Sequence, residues 1–108
     1  MTTKKDRHAD YYEAIIQLRP PTQEIVSFIR NQCKKRGAAI TKILILDTGI
    51  DLYITSQKFA RSLGPKLKKT FGGELTNSRK LYSKDRMSSK QIYRATILFR
   101  PKLKEQAL

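Results

Sequence analysis

Hydrophobic positions recur along this chain with two periods, and the changes between them mark its elements. In Tyr11–Arg19, YYEAIIQLR, the residues Tyr12, Ala14, Ile16 and Leu18 alternate with their neighbours, which predicts a strand with those four facing a core. Pro20-Pro21 stops it, because neither residue can donate to a ladder. The period then lengthens. Ile25, Ile29 and Cys33 stand four residues apart with Val26 beside them, the buried stripe of a helix running to about Arg36. Thr22 is placed to cap this helix, Glu24 and the run Lys34, Lys35, Arg36 suit the two ends of its dipole, and Gly37 suits a left-handed exit.

Ile40–Leu46 contains the unbroken apolar run Ile43–Leu46, which predicts a central strand or one covered on both faces. Asp47-Thr48-Gly49 then reads as a hairpin loop with the glycine at positive φ. The returning strand places Ile50, Leu52 and Ile54 on one face and Asp51, Tyr53 and Thr55 on the other. Ser56 can cap a second helix whose buried side is Phe59, Ala60, Leu63, Leu67 and Phe71. Gly64-Pro65 falls inside it. An interior proline removes a hydrogen bond and clashes with the preceding turn, costing about 3 kcal/mol, so a kink or two short helices are expected. Gly72-Gly73 ends the element, and Thr48–Gly73 is thus the centre of the chain: turn, strand, basic helix, cap.

From Glu74 the pattern is polar and β-like, with Leu75 and Leu81 its main apolar points, and Lys84–Lys90 reads as a basic loop. Gln91–Arg100 is a strong last strand, with Tyr93, Ala95, Ile97 and Phe99 inward and Arg94, Thr96 and Arg100 outward. The order β-α-β-β-α-β-β predicts an α+β fold: a two-layer sandwich of ferredoxin-like, split β-α-β type, with two helices on one face of a mostly antiparallel sheet. The extra strand extends an edge or pairs as a terminal hairpin. Residues 11–101 form one domain in this reading, between a flexible basic arm (1–10) and a short tail (102–108).

Charge narrows the function. Twenty-three Lys and Arg stand against nine Asp and Glu, a net +14 in 108 residues. Residues 1–50 carry +4 of this and residues 51–108 carry +10. Such a surface attracts polyanions, and without a hydrophobic run long enough to span a bilayer the leading partner is nucleic acid rather than membrane. Three basic clusters are the candidate contacts. Lys34, Lys35 and Arg36 end the first helix. Lys58, Arg61, Lys66, Lys68 and Lys69 line the second. Arg79, Lys80, Lys84, Arg86 and Lys90 surround Tyr82, which could stack on an unpaired base. The third strand, GIDLYITS, has Tyr53 as its one aromatic and lacks the aromatic pattern of an RNA-recognition motif.

Catalysis finds little support. The one histidine, His8, lies in the polar arm, and the one cysteine, Cys33, lies on an apolar helical stripe as a core thiol. No phosphate-binding glycine loop or zinc-ligand spacing occurs, so no cofactor and no metal are expected. Asp47 and Asp51 flank the hairpin turn but read as a turn residue and a solvated strand position. A lone cysteine also fits a reducing cytoplasm.

Four segments carry a family resemblance: YYEAIIQLR, TGIDLYITSQKFARSLGPKLKKTFGG, NSRKLYSKD and IYRATILFRP. In this order they resemble the central region of the nonsense-mediated decay protein three family, the large-ribosomal-subunit export adaptor of eukaryotes, with shorter archaeal relatives. The family's G-x-D-F/L-Y strand falls on Gly49, Asp51, Leu52 and Tyr53, and its A-x-x-L helix on Ala60 and Leu63. Its S-x-K-L strand falls on Ser78, Lys80 and Leu81, and its Y-R/K-x-T strand on Tyr93, Arg94 and Thr96. Family members begin with cysteine-rich zinc ribbons, for which this chain has only Cys33, so the likeness covers the central domain. It implies an archaeal-type, cytoplasmic protein attached to the large subunit through ribosomal RNA and its proteins, as a lineage-specific ribosomal protein or an assembly factor. A small basic DNA-binding nucleoid protein and a protein-interaction adaptor are the alternatives.

Overall fold

The computed structural model describes residues 11–85 and 90–102, and side chains outside 81–92. Five strands and two helices follow the predicted order: β1 (Ala14–Leu18), α1 (Gln23–Arg36), β2 (Ile40–Leu46), β3 (Gly49–Ile54), α2 (Gln57–Phe71), β4 (Gly73–Asp85) and β5 (Lys90–Pro101). Local chemistry accounts for the helix ends. Thr22 Oγ1 accepts from the Ile25 amide at 3.2 Å and Ser56 Oγ from the Phe59 amide at 3.1 Å. Gly37 leaves α1 at φ 74°, where other residues are strained. No acidic residue lies in the first turn of α2. Instead Glu13, just before β1, accepts from the Gln57 amide at 2.9 Å.

The sheet order is β2-β3-β1-β5-β4. β2, β3 and β1 pair antiparallel, as do β4 and β5, but β1 and β5 run parallel, Ala14 opposite Ala95 and Leu18 opposite Phe99. The sheet is therefore mixed, and it departs from ferredoxin-like order after α2. The chain leaves α2 for the outer edge as β4, then returns by a hairpin as β5 into the slot beside β1. Composition explains the exchange. β5 carries Ala95, Ile97 and Phe99, all essentially without exposure, whereas the side chains of β4 from Thr76 to Lys80 are exposed. The interior slot goes to the strand with apolar groups to bury.

The core lies between the sheet and the helices. Ala14, Ile16 and Leu18 of β1, Leu52 and Ile54 of β3, and the inward residues of β5 meet Ile25, Ile29 and Cys33 of α1 and Phe59, Ala60, Leu63 and Leu67 of α2. Each large aliphatic side chain buried here contributes about 1.5–3 kcal/mol relative to exposure. The helices lie antiparallel: the rings of Phe28 and Phe71 meet edge to face, centroids 5.4 Å apart, and further along Lys66 reaches Gln32.

Four local expectations need correction. β2 is an edge strand, not a central one, and Ile45 is 79% exposed. Its apolar run reflects packing of Ile43 on the core and contacts at a margin, not two covered faces. Tyr12 precedes β1 and leaves the core alternation, placing its ring against Tyr53 on the side of the sheet away from the helices. α2 is one continuous helix through Pro65. Gly64 packs against Leu75 and Ile97, so sheet contact holds the helix on both sides of the proline. Gly49 does not take positive φ; its reason is space. A Cβ there would stand 2.0 Å from the Leu18 carbonyl oxygen and 2.6 Å from Arg19 Nη1.

The predicted basic loop is also shorter. Lys84 belongs to β4 and Lys90 to β5, and Arg86 lies outside the described residues. The arm at 1–10 and the residues of the predicted tail beyond Lys102 lie outside them too. Pairing of β5 with β1 stops at Ala95, but β4 and β5 stay paired out to Asp85 and Lys90. The overhang is a two-stranded ribbon, and it lengthens the molecule to 59 Å against 30 and 26 Å in the other directions.

The two glycine environments separate space from backbone strain. Gly37→Ala meets nothing within 4 Å and carries only the left-handed penalty, a loss of about 1 kcal/mol. Gly49→Ala must displace the β1 backbone and should lose about 3 kcal/mol. Urea unfolding of the two variants beside the parent checks the order.

Candidate nucleic-acid interface

The two faces of this protein treat their charges differently. On the open face of the sheet, Arg19, Lys42 and Arg94 are engaged. Arg19 Nη2 donates to Asp51 Oδ1 at 2.7 Å and bridges β1 to β3, so Asp51 is a buried ion-pair partner rather than a solvated strand residue. The Arg94 guanidinium lies 3.9 Å from the Tyr12 ring centroid, Lys42 lies 5.1 Å from that of Tyr53, and the two rings meet edge to face at 4.7 Å. Burial and the neighbouring Asp51 and Tyr12 push the Tyr53 hydroxyl above its ordinary pKa. The ring faces that would stack on bases in an RNA-recognition motif are occupied by cations. Arg94 and Lys42 were not among the candidate contacts; the outward alternation of their strands was the signal available.

On the helix side the cations face solvent. Lys34, Lys35 and Arg36 are exposed at the end of α1. α2 carries Lys58, Arg61, Lys66, Lys68 and Lys69, all exposed, with no acidic residue in its length and no carboxylate partner for any of the five among the described residues. At 100° per residue, Lys58 and Lys69 point almost directly away from the core, Arg61 and Lys68 lean toward β4, and Lys66 leans toward α1. There Lys66 Nζ donates to Gln32 Oε1 at 3.3 Å, one turn before Lys34–Arg36. The first two predicted clusters therefore adjoin across the helix pair.

Arg79 pairs with Ala95, which places it on the helix side of the sheet. It lines a pocket of about 260 Å³ with Arg61, Asn77, Ser78, Ala95 and Ile97, and its guanidinium lies 4.6 Å from the Tyr93 ring centroid. Two arginines thus border one pocket from separate elements. Lys80, opposite Arg94, is exposed on the other side of the ribbon. The third cluster is thus split between faces. Tyr82, Lys84 and Lys90 lie along the ribbon, with side chains outside the description, and Leu81/Ser83 marks a register shift there.

Asp47 is exposed in the hairpin turn, and Asp51 is held by Arg19. Cys33 is buried, and that burial raises its thiol pKa to about 11, with nearby Arg30 opposing the rise. The described residues hold no group of three potential metal ligands, and no helix among them is long and apolar enough to cross a membrane.

A basic α+β domain with uncompensated cations along one helical face presents a surface complementary in charge to a polyanion. A family model described as NMD3, second domain, matches residues 11–100. The chain belongs to the NMD3 family, that of the large-ribosomal-subunit export adaptor, and represents its second domain. No curated protein matches it.

Arg19→Ala leaves the Asp51 carboxylate buried without its partner and should lower stability by about 2 kcal/mol, read from the urea midpoint. Cys33 should resist iodoacetamide at about pH 8 in the folded protein, being protonated and covered, and react at an ordinary rate once unfolded. Mass spectrometry of timed samples distinguishes the two.

Proposed function

We propose that this protein is a ribosome-associated module that binds ribosomal RNA of the large subunit with its helix face, as a resident ribosomal protein or an assembly factor in the cytoplasm. The observation that carries the proposal is the charge of α2: five exposed cations, no acidic residue and no carboxylate partner among the described residues. Lys and Arg in such an array neutralise phosphates and release condensed counterions, which gives affinity with little reading of sequence. Arg61 and Arg79, which line one pocket, would both border a phosphate seated there, while Lys34–Arg36 extend the contact past the end of α1. Membership of the NMD3 family supports the large subunit as the location of that RNA. In this reading the protein is not an enzyme.

Duplex DNA would also meet these cations, but family membership favours ribosomal RNA. If α2 supplies the five contacts, binding should weaken by about one hundred- to five-hundredfold between about 50 and 200 mM salt. Replacing Lys66, Lys68 and Lys69 together by Glu should release the protein from large subunits in sucrose gradients while leaving its circular dichroism unchanged. Undiminished sedimentation of the triple variant, or equal affinity for duplex DNA with no subunit association, would overturn the reading.

A further inference from the structure

The two margins of the sheet are built differently. The β4 margin is polar and basic, reading GELTNSRKLYSKD, and such charge is a common defence of an edge strand against pairing with another chain. The β2 margin lacks this defence. ITKILIL contains no proline and one charged residue, and β2 is hydrogen-bonded to β3 alone. Its bulge lies between Ile40 and Lys42, so the irregularity blunts only the start of the strand. Lys42–Leu46 runs opposite Tyr53–Gly49 without further interruption. The one charge is drawn back over the sheet, where Lys42 lies above the Tyr53 ring. Among the described residues, Ile45 and Leu46 are the large apolar ones left exposed, at 79% and 41%.

We propose that the β2 edge is a strand-addition site for an extended segment of a partner protein, apolar at its centre and flanked by acidic residues. Backbone pairing would supply affinity, and side-chain matching would supply choice of partner. The apolar centre follows from register. Ile43 and Ile45 lie on the helix side and Leu44 and Leu46 on the other, so an added strand meets apolar neighbours on both faces. The acidic flank follows from charge: Lys34, Lys35 and Arg36 close α1 immediately before this strand begins. Charge also argues against a second copy as occupant. Two chains of +14 pairing through β2 would have to overcome the repulsion of their net charges. The strand edge itself is separate from the α2 face, although Lys34–Arg36 border both, and its test is made without RNA.

The probe is a fluorescein-labelled peptide, Glu-Glu-Val-Thr-Ile-Val-Ile-Glu-Glu, titrated into the full chain, with a Lys-flanked version as control. Binding of the acidic peptide alone, with slowed amide exchange in Lys42–Leu46 and unchanged exchange in β4, is the expected result. Ile45→Lys, at a position exposed enough to leave the fold intact, should weaken it at least tenfold with an unaltered circular dichroism spectrum. Absence of binding, protection of β4 instead, an unaffected I45K variant, or protection of β2 through concentration-dependent dimerisation without peptide would each overturn the proposal.

Discussion

The five residues of β1 join the two halves of the sheet, lying between β3 and β5 in its order. On one side β1 pairs antiparallel with β3, which brings in the β2–β3 hairpin; on the other it pairs parallel with β5, which brings in the β4–β5 ribbon. Ala14, Ile16 and Leu18 point into the core without exposure, so both the ladder and the packing depend on this strand. The residues at its two ends tie it further. Glu13 accepts from the first amide of α2, and Arg19 crosses Gly49 to reach Asp51. With β1 anchored in this way, the helices have a fixed sheet to lie on, and the cations of α2 have a fixed spacing.

The segregation of charge follows from that arrangement. Strand alternation places Arg19, Lys42 and Arg94 over a face that also offers a carboxylate and two tyrosines, and there they are engaged. Helical spacing places the cations of α2 on a face with no acidic residue within the helix. Basic side chains therefore carry different consequences according to their face. Arg19, Lys42 and Arg94 tie neighbouring strands, and those of α2 remain exposed.

What could be read from the sequence was local. Thr22, Ser56 and Gly37 act within four residues of the groups they satisfy, so the helix boundaries were legible, as was the α2 stripe with its cationic reverse. Neighbour relations were not. An apolar run such as ILIL signals contact but does not say whether a strand lies at the centre or the margin, and β2 lies at the margin. The exchange of β4 and β5 is decided by competition for one interior slot, which neither strand reveals alone. Gly49 suggested a backbone reason because its crowding comes from Leu18 and Arg19, some thirty residues away. The candidate interface divides in the same way: the α2 cations were visible as a helical face, while the pocket that Arg61 and Arg79 share required the packing of α2 on β4 and β5.

The parallel pairing of β1 with β5 also sets an order of events during synthesis. Ala14 meets Ala95, 81 residues later, so β1 emerges long before its second neighbour exists. Until then, the β2–β3 hairpin and α1 can form their local contacts, but part of the inner face of β1 remains uncovered. Contacts of such long sequence separation close slowly, because the loop entropy must be overcome before they contribute. The nascent chain therefore carries an unfinished apolar surface until β5 arrives, and closure of the sheet is the step that ends its exposure to aggregation.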